Sequence, residues 1–189
     1  MRLKEKISII TGSASGFGKG IAKKFSEEGA KVILVDINKE ELEKVAKDLN
    51  QDFFYADVSS YISMQKLSKY VFNKYENIDI IVNNAGITHL PKPLEEVSEE
   101  EFDKVFSVNS KSVFFSAKVF VPHMKKNKKG SILNVASTAG LSPRPNLNWY
   151  NASKGWMITA TKTMAVELAP FNIRVNSLAP VAGETPLLK

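Results

Sequence analysis

Along the chain, short runs of β-branched and apolar residues alternate with longer stretches whose apolar positions recur every three or four residues. The short runs are Ile7–Thr11, Lys31–Asp36, Phe53–Tyr55, Ile78–Val82, Ser131–Val135 and Ile173–Ser177. Their length and composition predict strands. Of the longer stretches, Gly18–Glu28 carries Ile21, Ala22 and Phe25, and Lys39–Leu49 carries Leu42, Val45, Ala46 and Leu49. Tyr61–Tyr75 carries Ile62, Leu67, Val71 and Phe72. Each set falls on one face of a helix. Longer helices are predicted from about Ser98 to Phe120 and from Tyr150 to Pro170.

Strands that are apolar almost throughout are buried on both faces, as in a parallel sheet covered by helices on either side. Right-handed crossovers then place helices on each side in turn. The expected architecture is α/β, a doubly wound parallel sheet forming one domain over residues 1–189, with no linker or repeat to divide it.

Composition narrows the class without changing this picture. No apolar run approaches the ~20 residues of a membrane span. The charged start Met1–Lys6 leads into Ile7–Ile10, which is too short for the core of an export signal. The absence of cysteine excludes disulfides, thiolate metal sites and a cysteine nucleophile. A cytoplasmic address is expected, and no metal site, because acids and histidines do not cluster. Net charge is +6, with Arg2, Arg144 and Arg174 as the only arginines among 26 basic residues. A lysine-rich surplus suits a solvated surface better than bidentate reading of phosphates or bases. The densest basic run, Lys125-Lys126-Asn127-Lys128-Lys129, follows an apolar helix. It reads as a solvated cap complementing the helix dipole, and no nucleic-acid partner is expected.

Chemistry enters at Thr11-Gly12-Ser13-Ala14-Ser15-Gly16-Phe17-Gly18, where the first strand ends and the first helix opens. A helix N-terminus offers unpaired N–H groups and partial positive charge to a pyrophosphate. Glycines permit the tight turn and a close backbone approach. Gly12, Ser15, Gly16, Phe17 and Gly18 are therefore candidate dinucleotide contacts. The spacing Gly-x-x-x-Gly-x-Gly differs from the common Gly-x-Gly-x-x-Gly fingerprint. Asp36 ends the second strand, where a carboxylate can accept both ribose hydroxyls and repel a 2′-phosphate. Neither Ser15 nor the adjoining Ile37 supplies a cation for such a phosphate, so NAD is expected over NADP. The alternative for Asp36 is a helix cap, a role open equally to Asn38.

The chain also resembles the short-chain dehydrogenase/reductase family at nearly every diagnostic motif. Thr11–Gly18 matches its glycine turn, Asp57-Val58 its adenine-side pair, and Asn83-Asn84-Ala85-Gly86 its Asn-Asn-Ala-Gly segment. Asn109, Ser137, Tyr150 and Lys154 fall where its catalytic tetrad is expected, and Ile173–Pro180 resembles its sixth strand and exit. The resemblance implies a Rossmann-type fold and hydride transfer between NAD and a secondary alcohol or ketone. It points to enzymes such as 3-oxoacyl-ACP reductases and glucose dehydrogenases, with 3-oxoacyl thioester, sugar or steroid-like ketones as substrate classes. It adds Asp57, Val58, Asn84, Ala85, Gly86, Pro180 and Thr185 to the expected cofactor contacts, together with Tyr150 and Lys154.

The residues support that assignment on their own chemistry. Tyr150 and Lys154 are four apart and share a helix face. A free phenol ionises only near pH ~10, and an ammonium close by favours the phenolate. Tyr150 is the expected general acid/base, with Lys154 also holding the nicotinamide ribose. Ser137 closes the fifth strand, and ligands bind at such C-terminal strand ends. Its hydroxyl can donate to a substrate oxygen as charge develops there. By resemblance Asn109 positions a water in a proton relay, while as a mid-helix asparagine it also reads as a satisfied polar residue at a kink. Thr88, His89, Leu141, Pro143, Arg144, Asn146 and Trp149 are candidate substrate contacts beside Ser137. His89 reads either as a contact or as a surface-loop histidine.

Two departures from the family pattern stand out. Val181-Ala182-Gly183 follows Pro180 where the family usually has glycine at once. Family members also continue past the equivalent of Lys189 into a substrate lid, a helix and a seventh strand. Residues 1–189 are expected to lack these, leaving the sixth strand as an open edge. The alternative function is then a non-catalytic NAD-binding or scaffold protein. Finally, the helices carrying Val105, Val113, Phe114, Phe120, Trp156, Met157 and Val166 are apolar on more than one side, which predicts a homotetramer or homodimer.

Overall fold

Successive side chains in a strand face opposite ways, and β1 (Ile7–Thr11) uses this to serve two cores. Ile9 packs with Ile33 and Val35 on one face, whereas Ile10 packs with Val32 and Leu34 on the other. The computed structural model describes residues 1–181 and 183. After β1 come β2 (Lys31–Asp36), β3 (Asp52–Tyr55), β4 (Ile80–Asn83), β5 (Gly130–Val135) and β6 (Ile173–Leu178). They form one six-stranded sheet in the order β3-β2-β1-β4-β5-β6, parallel throughout. This is the doubly wound order, in which the strand sequence reverses beside β1 and opens a crevice between β1 and β4. β3 and β6 are the sheet edges.

The helices are α1 (Gly16–Glu27), α2 (Lys39–Leu49), α3 (Tyr61–Lys74), α4 (Glu99–Phe106), α5 (Ser112–Asn127) and α6 (Asn148–Leu168). Ala22 of α1 and Leu42, Val45 and Ala46 of α2 fill one core. Met64, Leu67 and Val71 of α3, Phe120 and Met124 of α5, and Leu168 of α6 fill the other. Among the described residues, no helix is long and apolar enough to cross a membrane.

Three local expectations change. Ile62 is exposed, and Met64 takes the buried place on α3; two residues before Met64, Ile62 is about 200° round the helix and so faces away from the stripe that Met64, Leu67 and Val71 define. β4 starts at Ile80 rather than Ile78, because Asp79 first meets the start of β1. Its N–H donates to the Ile7 carbonyl at 2.9 Å, and its carboxylate accepts the Ile7 N–H at 3.1 Å. The single helix expected over Ser98–Phe120 is α4 and α5 joined by a π-helical turn, Ser107–Lys111. Such widened turns interrupt helices where a side chain is drawn out of the regular pattern, and Asn109 lies inside this one. α4 itself begins with a reciprocal cap, Ser98 accepting the Glu101 N–H and Glu101 accepting the Ser98 N–H. In the basic run, Lys129 pairs with Asp79 at 2.6 Å and Lys125 with Glu167 at 3.6 Å, while Lys128 is the left-handed C-cap of α5.

Candidate active site

A cleft of about 620 Å³ opens at the C-terminal ends of the strands, and the turn between β1 and α1 forms its floor. Gly12 has φ +64, in the left-handed region, and a β-carbon there would lie 2.9 Å from Ala85 Cα. Glycine alone meets both demands without strain. A β-carbon on Gly18 would collide with the Gly12 carbonyl oxygen. Gly18 is therefore buried beneath the turn and does not line the cleft, letting α1 pack against the turn that precedes it.

Hydrogen bonds between the segment just past β4 and the end of β1 anchor this turn. Asn84 Nδ2 donates to the carbonyls of Thr11 at 2.9 Å and Gly12 at 3.1 Å. Thr11 Oγ1 accepts the N–H groups of Asn84 and Ala85 at 3.0 and 3.1 Å. Ser15, the N-cap of α1, makes no side-chain capping bond, and the first turn of α1 holds no acid. The opening amides of α1 are thus free of protein acceptors from the cap and its first turn, as an anionic diphosphate requires.

Asp36 lies at the β2 end of the same cleft. Its Oδ2 accepts the Ala14 N–H and its Oδ1 the Asn38 N–H, both at 2.9 Å. The cap of α2 is Asn38, which accepts the Glu41 N–H at 3.2 Å, so Asp36 is left to the cleft. Each carboxylate oxygen retains a lone pair for a hydroxyl donor. Ile37 is exposed beside it. Asp57 and Val58, at the exit of β3, form the next wall, with Asp57 Oδ1 held by the N–H and hydroxyl of Ser59 at 2.8 and 2.7 Å. These groups fit an adenosine diphosphate: amides for phosphate, a carboxylate for a ribose diol and an apolar slot for a base.

At the far end of the cleft stand Ser137, Tyr150 and Lys154. Ser137 Oγ accepts the Ala139 N–H at 3.1 Å, which leaves its proton available for donation. Its neighbour Thr138 turns away, with its hydroxyl 3.4 Å from the Pro180 carbonyl. Lys154 is only 4% exposed. Its Nζ donates to the Val135 carbonyl at 2.9 Å and lies 5.9 Å from the centre of the Tyr150 ring. Burial lowers its ammonium from the ordinary 10.5 to about 8. It remains largely charged at neutral pH.

Asn109 is fully buried and does not line the cleft. Its Oδ1 accepts the Ile87 N–H, and its Nδ2 donates to the Ile87 carbonyl and to Ser153 Oγ, all at 2.9 Å. Both amide hydrogens are thereby used. Asn109 is the satisfied polar residue at an interrupted helix, standing behind the wall rather than in it.

Of the other expected contacts, Gly12, Ser15, Gly16, Phe17, Asn84, Ala85, Gly86 and Pro180 line the cleft, and Thr185 lies outside the described residues. Thr88, His89, Leu141, Pro143, Arg144, Asn146 and Trp149 do not line it. They belong to the segment after β4 and to the loop and first turn of α6 after β5, tied together by Lys92 N–H to the Asn146 carbonyl, 3.0 Å, and Trp149 Nε1 to the Leu94 carbonyl, 3.2 Å. His89 is no surface-loop residue: it is 4% exposed, with Nδ1 2.8 Å from the Leu90 carbonyl.

Sequence reasoning missed Ala56, Ile87, Lys104, Val108, Val135, Ala136, Val181 and Gly183 as cleft residues. Most adjoin a motif and could have been found by adjacency. Lys104 and Val108 carried a weaker signal, their four-residue spacing on one helix face.

Residues 6–189 match the short chain dehydrogenase family. The chain is 41% identical to 4-formylbenzenesulfonate dehydrogenase of Comamonas testosteroni, over 100% of this chain and 77% of that protein. It is 43% identical to 3-oxoacyl-[acyl-carrier-protein] reductase of Thermotoga maritima, over 99% of this chain and 78% of that one. Its structure superposes on 3-ketoacyl-(acyl-carrier-protein) reductase of Brucella melitensis, a crystal structure complexed with NADH, with a TM-score of 0.96 and 46% identity, covering 98% of this chain and 79% of the other. With the 3-2-1-4-5-6 sheet, the glycine turn and the Ser137, Tyr150 and Lys154 group already in place, these likenesses establish that the chain belongs to the short-chain dehydrogenase/reductase family of oxidoreductases.

Proposed function

We propose that this protein interconverts a secondary alcohol and a ketone with NAD(H). One observation carries the reading: a single cleft has a diphosphate-binding turn and Asp36 at one end and Ser137, Tyr150 and Lys154 at the other. When bound, the nicotinamide accepts or supplies the hydride. The protein's part is orientation and proton transfer. Ser137 donates its free hydroxyl proton to the substrate oxygen and stabilises developing negative charge there. Tyr150 takes the alcohol proton in oxidation and returns it to the alkoxide in reduction. Lys154, buried without a carboxylate partner among the described residues, supplies positive charge beside Tyr150 and a donor for ribose hydroxyls. Asp36, with Ser15 and Ile37 beside it and no cation beside it among the described residues, favours a ribose diol over a 2′-phosphate.

Phe114, Trp156 and Val166 are 52%, 40% and 78% exposed on α5 and α6. We propose that these faces bury against second copies of the chain, giving a homodimer or homotetramer; a monomer mass by sedimentation would refute this. The functional test is NADH and NADPH fluorescence titration, joined to turnover on a 3-oxoacyl thioester, a sugar and a steroid-like ketone. Expected are tighter NADH binding, turnover on at least one substrate class, and loss of turnover by orders of magnitude in Tyr150→Phe with NADH affinity retained. Tighter NADPH binding would overturn the cofactor assignment. NADH binding without turnover would reduce the protein to a nucleotide-holding scaffold.

A further inference from the structure

Ser153 has no place in the chemistry above, yet it is fully buried beside Lys154. Its hydroxyl donates to the Tyr150 carbonyl at 2.7 Å and accepts from Asn109 Nδ2 at 2.9 Å. The direction is determined by the rest of the network. Asn109 Oδ1 must face the Ile87 N–H and Nδ2 the Ile87 carbonyl, so Nδ2 is the atom that reaches Ser153. Ser153 has one proton, and it goes to Tyr150. The result is a continuous thread from Ile87, in the cleft wall, through Asn109 and Ser153 to the backbone of Tyr150.

A second observation brings Lys154 beside the thread. A β-carbon on Gly86 would lie 3.2 Å from Lys154 Nζ and 3.3 Å from Asn109 Oδ1. The ammonium and the Asn109 amide therefore converge on one bare stretch of backbone at the exit of β4.

We propose that Ser153 is a positioning residue that, through Asn109, sets the Tyr150 and Lys154 turn of α6 in register with the Ile87 wall of the cleft. This rests on the dehydrogenase reading for its catalytic consequence but not for its structural one. Because α4 and α5 are joined by the widened turn that carries Asn109, the helix path alone does not hold that side chain in place. The side-chain bonds do.

The test uses Ser153→Ala and Ser153→Thr in the full chain. Threonine keeps a hydroxyl that can reach the carbonyl three or four residues back, and alanine leaves Asn109 Nδ2 without its acceptor. In Ser153→Ala the Ile87 amide should exchange with solvent about fivefold faster or more, as expected for loosening one hydrogen bond. The ring-carbon resonance of Tyr150 in tyrosine-labelled protein should shift. The kcat should fall roughly tenfold, as small misplacements of reacting groups do, with the NADH dissociation constant unchanged. Ser153→Thr should restore exchange, resonance and kcat together. Unchanged Ile87 exchange and Tyr150 resonance in Ser153→Ala would overturn the proposal, as would faster exchange with an unaltered kcat. Absence of wild-type turnover would sink the dehydrogenase reading alone, since exchange and resonance still decide whether the thread exists.

Discussion

Replacing Lys154 with methionine should make the fold more stable at neutral pH while abolishing turnover. Lys154 is buried with a backbone carbonyl for a partner and, among the described residues, no carboxylate, and its ammonium is lowered from 10.5 to about 8. Each tenfold change in proton affinity corresponds to ~1.4 kcal/mol, so holding this residue charged in the native site costs roughly 3 kcal/mol below pH 8. Methionine removes that cost at similar length and loses the charged hydrogen bond to Val135, worth about 1.5–3 kcal/mol. The net gain at pH 7 is about 1 kcal/mol. The sign with pH follows from proton counting. Between about pH 8 and 10.5 the unfolded lysine is protonated and the native one is not, so wild-type stability rises with pH across that window. The methionine variant lacks this component. Urea unfolding of both proteins at steps from pH 7 to 10.5, with equal m-values, should therefore show the difference shift by roughly 3 kcal/mol, turning the variant's advantage into a deficit of about 2 kcal/mol. A wild-type-minus-variant difference independent of pH would refute the reasoning.

Two further changes probe the scaffold. Gly18→Ala forces a β-carbon into the Gly12 carbonyl and the Asn84 amide; because overpacking typically costs about 1–3 kcal/mol, thermal unfolding should fall and NADH titration should show affinity weakened with the displaced turn. Asn134→Leu breaks a buried relay in which Asn83 Nδ2 donates to Asn134 Oδ1 and Asn134 Nδ2 to Thr161 Oγ1, both at 2.8 Å. Leaving Asn83 unpaired inside the sheet should lower stability by about 1–3 kcal/mol in urea unfolding, and a neutral result would show that the relay is not needed.

Much of this protein is local and therefore legible in its sequence. Strand and helix periods depend on which face of a short element is buried, and β1, β2, α1 and α2 obey them. The glycine turn is legible because its backbone demands glycine whatever surrounds it, as Gly12 shows at φ +64. Tyr150 and Lys154 are legible because four residues of helix bring them to one face, and their 5.9 Å ring-to-ammonium separation follows from that spacing. Ile62 shows the limit of the method: it lies five residues from Leu67, a spacing that puts the two on different helix faces, and its side chain is exposed.

What only the tertiary structure decided is which distant groups meet. Asn109 and Ser153 are 44 residues apart, and nothing in either local pattern says that one amide will bind both a cleft-wall backbone and the turn of α6. The same holds for Asn84 and Thr11, 73 apart, for the inward turn of His89, and for Lys104 reaching the cleft from α4. Hydrogen bonds are directional and short, so their partners depend on ångström-level placement of whole elements. Hydrophobic periodicity determines only which side of each element faces inward.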